Sequence, residues 1–105
     1  MSYYKIKEIL HSGRKGERNT PRTDCRYPLR INRIVEFDDD LNNGCIMPGR
    51  PMILSYVKDE NGNDYSGYYL QTSRVLDWDF AYDNVIRIET CNSIYELERV
   101  DEEVL

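Results

Sequence analysis

The stretch that decides the fold is Val85-Ile86-Arg87-Ile88-Glu89-Thr90, followed by Cys91-Asn92 and then Ser93-Ile94-Tyr95-Glu96-Leu97-Glu98. Apolar and polar side chains alternate through both arms, which is the period of a half-buried β-strand. With Cys91-Asn92 as a two-residue loop, Ile88 falls opposite Tyr95 and Ile86 opposite Leu97 on the core side. Arg87 then faces Glu96 on the solvent side, a favourable cross-strand charge pair. A two-residue slip would keep these faces, but a one-residue slip would turn one arm inside out.

Upstream, Leu76, Trp78, Phe80 and Tyr82 alternate with Asp77, Asp79, Ala81 and Asp83, so residues 74–84 read as extended. Their aromatic side is expected to cover one end of the core. Before them lies a second hairpin signal, Asn61-Gly62, suited to a type I′ turn because both central residues there need positive φ. It predicts strands over 52–60 and 63–73, with Tyr56 opposite Gly67, Leu54 opposite Tyr69 and Ile53 opposite Leu70. Gly67 would mark a bend or bulge.

Towards the N-terminus, residues 3–10 read as a strand with Tyr4, Ile6 and Leu10 on one side. Residues 29–37 read as another, with Leu29, Ile31, Val35 and Phe37 on one face and Arg33 interrupting it. Asp38-Asp39-Asp40-Leu41-Asn42-Asn43-Gly44 is a turn signal. Residues 13–28 show neither period and carry Pro21, Pro28 and several basic side chains, the mark of a functional loop or of a partly disordered one. The expectation is an all-β domain over 1–100, a small antiparallel barrel or curled sheet of five to six strands with little or no helix, and an acidic tail over 101–105.

Composition narrows the class further. The chain has 105 residues, enough for one domain with one core. Its N-terminus lacks the apolar segment of a signal peptide, and no apolar run approaches the ~20 residues that span a bilayer. A cytoplasmic protein with no membrane partner is expected. Cys25, Cys45 and Cys91 are an odd number without close spacing, and His11 is the one histidine. Neither a disulfide framework nor zinc ligation is indicated, and no cofactor, metal or catalytic residue is assigned. Asp59-Glu60-Asn61-Gly62-Asn63-Asp64 begins like a calcium loop, but the sixth position is Asp64 instead of glycine and the twelfth is Leu70 instead of glutamate.

Charge is the best positive signal. Residues 5–35 carry nine basic and three acidic side chains, whereas residues 36–105 carry five and sixteen, giving −5 overall. Arg14, Lys15, Arg18, Arg22, Arg26, Arg30 and Arg33, with Tyr27 among them, form the candidate ligand- or partner-binding segment. Arginines clamp phosphate or carboxylate and tyrosine adds a stacking surface. The same arginines could instead pair with the chain's own excess carboxylates.

The run Ile88-Glu89-Thr90-Cys91-Asn92-Ser93-Ile94-Tyr95-Glu96-Leu97, with Thr72-Ser73-Arg74-Val75 before it, resembles short uncharacterised β-barrel proteins carried by Firmicutes and their phages. The resemblance covers about a quarter of the chain. It implies a small barrel and brings no known active site.

Three functional readings follow. The leading one is a non-enzymatic binding module, of the kind a mobile element uses as an inhibitor. It would occlude a protein partner or sequester a small ligand through its tyrosine-rich faces and basic loop, or meet a partner with an acidic surface that mimics nucleic acid. The second is a nucleic-acid-binding barrel using residues 14–33, which the net negative charge opposes. The third is a small metal-dependent hydrolase, which needs carboxylates gathered from different elements. A homo-oligomer is compatible with each.

Overall fold

A computed structural model describes residues 2–14, 16–37, 46–82 and 84–105 of the chain, and the backbone alone of Val104. Its closing hairpin pairs as the alternation predicts. Strand β5 (Val85–Thr90) and strand β6 (Ser93–Val100) set Ile86 against Leu97 and Ile88 against Tyr95, with Arg87 against Glu96 between them. The four apolar partners are buried, and Arg87 reaches Glu96 at 3.4 Å. Thr90 braces the turn, its Oγ1 accepting from the Ser93 N–H and donating to the Ser93 carbonyl.

Four further strands complete the sheet: β1 (Ser2–His11), β2 (Ile34–Phe37), β3 (Pro51–Lys58) and β4 (Tyr69–Tyr82). Each pairs antiparallel with its sequence neighbour and β1 pairs with β6, so the sheet closes into a six-stranded barrel. Closure leaves no sheet edge to recruit another chain along the paired stretches. The interior is filled by alternate residues of every strand, among them Tyr4, Ile6, Val35, Leu54, Ile88 and Leu97. Tyr4 stacks on Phe37 at 4.8 Å between ring centres.

Several expectations need correction. The strand foreseen over 29–37 is formed only at Ile34–Phe37, because Pro28 opens a 3-10 turn over Tyr27–Arg30 and Asn32 takes φ 72°. Proline fits the first turn of such a helix, where its missing N–H leaves no intrahelical bond unmade. Leu29 is consequently exposed and Ile31 half-buried, while Val35 and Phe37 face the core.

The middle hairpin is also displaced. Gly62 N–H donates to the Asp59 carbonyl at 3.1 Å and Asp59 N–H to the Asn63 carbonyl at 2.9 Å. Only Gly62 of the central pair has positive φ, so the turn is a three-residue loop with a glycine bulge instead of type I′. A second insertion at Ser66-Gly67 adds two residues to the β4 side between the Lys58–Asp64 bridge and the Leu54–Leu70 pair. Gly67, with φ 92°, does mark this bend. Leu54 therefore meets Leu70 inside, and Tyr69 points outward opposite Ser55.

Along β1 the pairing with β6 slips between Ile6 and Glu8. This bulge resets the alternation, so Ile9 joins Tyr4 and Ile6 in the core cluster. Leu10, expected on their side, is buried beside the bridge to Pro21 instead. Residues 74–82 of the stretch expected to be extended lie within β4. Val75 is buried in the core, but of the alternating Leu76, Trp78, Phe80 and Tyr82 only Trp78 packs partly on it, while the other three are exposed. The turn foreseen at 38–44 lies outside the described residues, as do Lys15, Cys45 and Asp83.

The irregular basic loop has a structural job. Where β2 stops pairing with β1, Asn32 and Arg33 exchange hydrogen bonds with Ile6. Farther along, Arg22 N–H donates to the Ile9 carbonyl, and His11 exchanges bonds with Thr20 and Asn19. The loop thus satisfies the edge of β1 that β2 leaves open.

Candidate functional site

At one end of the barrel, the 3-10 turn and the β3–β4 connection enclose a cleft of about 230 Å³. Arg26, Arg30 and Arg33 line one side. Tyr56, Tyr65, Tyr68 and Tyr69 line the other. Arg26 and Arg30 flank and end the short 3-10 turn, and the chain reversal at the left-handed Asn32 brings Arg33 back to the same cleft. The tyrosines arrive because Tyr56 lies near the end of β3, Tyr69 begins β4, and the glycine bends hold the loop between them close.

The aromatic wall is ordered by its own contacts. Tyr65 meets Tyr56 edge-on at 5.1 Å and stacks on Tyr68 at 4.7 Å. Arg33 lies over both Tyr56 and Tyr65, at 5.2 and 4.9 Å, while its Nε donates to Glu60 at 2.8 Å. Burial works against the Arg33 charge, but the bonds to Glu60 and Tyr56 outweigh it and raise its pKa. The same Arg33 bond holds Glu60 below the usual carboxylate range. Beneath the cluster, burial pushes the Tyr95 phenol up to about 12, with Tyr27 adding to the shift and Arg30 opposing it.

The predicted basic residues divide into two kinds. Arg22 is 5% exposed and structural, its guanidinium donating to Asp24, to the Asn92 carbonyl and to Ser93 Oγ, and lying 4.0 Å from the Tyr27 ring centre. Arg18 pairs with Glu89 and donates to the Ser12 carbonyl. Arg33 pairs with Glu60. Arg14, Arg26 and Arg30 take part in none of the salt bridges among the described residues, although Arg30 lies over Tyr27 at 4.8 Å. Arg26, Arg30 and Arg33 converge on the cleft; Arg14, Arg18 and Arg22 do not line it. Lys15 lies outside the described residues.

Sequence reasoning missed Tyr56, Tyr65, Tyr68 and Tyr69 as site residues. Their one visible signal was the tyrosine content, 9 against 2 phenylalanines. Elsewhere, Asp59 Oδ1 accepts from the N–H groups of Asn61 and Asn63, so the calcium-like spacing serves a turn. Asp77 and Asp79 accept from the following backbone N–H of Trp78 and Phe80. Among the described residues no three His, Cys, Asp or Glu side chains gather as metal ligands. No helix among them is long and apolar enough to cross a membrane.

Comparison of the chain with family models, curated proteins and solved structures finds no match. What defines the protein is its six-stranded antiparallel barrel with an arginine–tyrosine cleft at one end.

Proposed function

We propose that the chain is a non-enzymatic binding module whose cleft sequesters a small anionic ligand carrying a planar ring. The observation that supports this is the convergence of Arg26, Arg30 and Arg33 on a wall of four tyrosines. Guanidinium groups offer forked donors to phosphate or carboxylate, and tyrosine faces stack on a flat ring. One carboxylate, Glu60, offsets the three arginines, so the cleft keeps net positive charge. At about 230 Å³ the cleft is smaller than pockets that enclose a drug-sized ligand, so it suits a small ligand held partly open to solvent.

Occlusion of a protein partner by an acidic face is less favoured. Glu60, Glu89, Glu96 and Glu98 are each paired with a cation of the same chain, which takes four carboxylates out of such a face. A nucleic-acid track along residues 14–33 is weakened likewise, since Arg18, Arg22 and Arg33 are engaged internally. Tyr68 and Tyr69, 62% and 63% exposed beside Arg26, keep single-strand stacking as the second reading.

Titration with AMP, adenosine, ribose 5-phosphate and a ten-residue oligothymidylate separates these readings. The expected result is that AMP binds more tightly than either of its halves, that Arg30→Ala weakens it about tenfold, and that added salt weakens it further. Binding of the oligonucleotide with a steep salt slope and none of AMP would favour the nucleic-acid reading. No saturable binding of any probe at low salt would overturn the cleft as a ligand site.

A further inference from the structure

A second groove, of about 520 Å³, lies on the other side of the Tyr68–Tyr69 ridge. Its floor follows from strand register. Tyr3 pairs with Glu36, Glu36 with Ser55, and Ser55 with Tyr69. These four residues form one row across β1, β2, β3 and β4. Residues paired directly across a sheet project from the same face, and here that is the outer face, since their strand neighbours Tyr4, Val35, Leu54, Tyr56 and Leu70 are buried. Neighbouring strands are about 4.8 Å apart, so Tyr3 and Tyr69 stand ~14 Å apart at the backbone as two walls. The smaller Ser55 and the Glu36 carboxylate lie between them. Tyr68 thickens the second wall and is held there by its stack on Tyr65.

This site has the opposite polarity to the arginine cleft. Among the described residues Glu36 takes part in none of the salt bridges, and no lysine or arginine among them lines the groove. Glu102 and, more weakly, Glu36 raise the pKa of the Tyr3 phenol, which reports negative potential at that wall. Aromatic faces attract cations through their quadrupole, and a carboxylate between such faces adds a direct charge interaction. We propose that the groove binds an organic cation, an ammonium or guanidinium head seated between the tyrosine rings against Glu36. The two sources of such a head are a free small cation and a basic side chain of a polypeptide.

The test uses the full chain and three probes: choline, its neutral isostere 3,3-dimethylbutan-1-ol, and a short capped peptide carrying trimethyllysine. Binding is followed by the ring resonances of Tyr3 and Tyr69. Choline is expected to produce saturable shifts, with the isostere at least tenfold weaker. Glu36→Gln should weaken choline about tenfold and leave AMP binding unchanged, which separates this site from the arginine cleft. Tyr3→Leu, checked for a retained melting transition, should weaken choline by a similar factor and guards against a misfolded first variant. A peptide bound more than tenfold tighter than choline assigns the site to a polypeptide side chain, and equal binding assigns it to a small cation. Equal affinity for choline and its isostere, or no saturable shift with choline or the peptide, overturns the proposal.

Discussion

The guanidinium of Arg22 lies 4.0 Å from the centre of the Tyr27 ring. A residue expected at a binding surface is thereby a buried clamp between the irregular loop and the closing hairpin. It joins Asp24, the Asn92 carbonyl and Ser93 Oγ. Arg22→Ala would leave the Asn92 and Ser93 groups without this donor. A loss of about 2–3 kcal/mol is expected in urea unfolding. Arg14→Ala, at an exposed position, should stay within ~0.5 kcal/mol of the parent. Equal midpoints for the two variants would contradict the clamp.

Acid should act partly through the same contact. The hydrogen bond from Arg22 holds Asp24 at about 2, below its ordinary 3.8. A depressed carboxyl pKa stabilises the fold above the unfolded value, and that contribution fades as pH falls from 3.8 towards 2. Glu60 and Glu89, lowered by Arg33 and Arg18, act in the same direction. Asp24→Asn should therefore be less stable than the parent at neutral pH, with the gap closing as pH approaches 2. Urea midpoints measured across pH would show a constant gap if the pairing contributed nothing.

At the alkaline end Tyr95 is the sensitive group. Its phenol is pushed up to about 12 from 10.0 by burial. Because the folded state holds this proton more tightly, its contribution is complete below pH 10 and is lost as pH rises through 12. Ultraviolet titration should show one tyrosine ionising late, together with unfolding, and Tyr95→Phe should remove that late component.

The closing hairpin should carry a large share of the stability. Ile88, 1% exposed, packs opposite Tyr95. Ile88→Ala deletes buried carbons and leaves a cavity, at a cost of about 2–5 kcal/mol. Ile53→Ala, on the exposed face of β3, should cost less than ~1 kcal/mol. Thermal melts of the pair would refute the barrel interior if the order were reversed.

Gly16 presses on His11. A Cβ at position 16 would lie 2.7 Å from His11 Nδ1, whose ring would have to move. Gly16→Ala is expected to destabilise by roughly 1–3 kcal/mol and to speed amide exchange at His11 and Arg22, which tie the loop to β1. Unchanged exchange at both amides would show that the loop tolerates the added methyl.

Legibility in the sequence tracked how local each determinant was. The β5–β6 register was readable because alternation restricts it to arrangements that bury Ile86, Ile88, Tyr95 and Leu97, and a two-residue loop at Cys91-Asn92 selects among them the one observed. The β3–β4 register was not, because Asn61-Gly62 uses one positive φ instead of two and Ser66-Gly67 adds a further insertion. Each changes the count across the turn while leaving the apolar pattern of either strand intact. The strand expected over 29–37 was shortened by Pro28 and by the left-handed Asn32. Of the candidate site, Arg26, Arg30 and Arg33 were visible as charge, whereas the tyrosines opposite them were not.

Alternation alone determined that this chain forms antiparallel strands around a shared interior, since period-two burial is a property of neighbouring residues. Tertiary structure alone decided that β1 meets β6, that Arg22 is a clamp instead of a ligand contact, and that Arg30 and Arg33 face Tyr65, Tyr68 and Tyr69. Those outcomes depend on bulges, positive-φ turns and ring closure, which bring together residues that are distant along the chain.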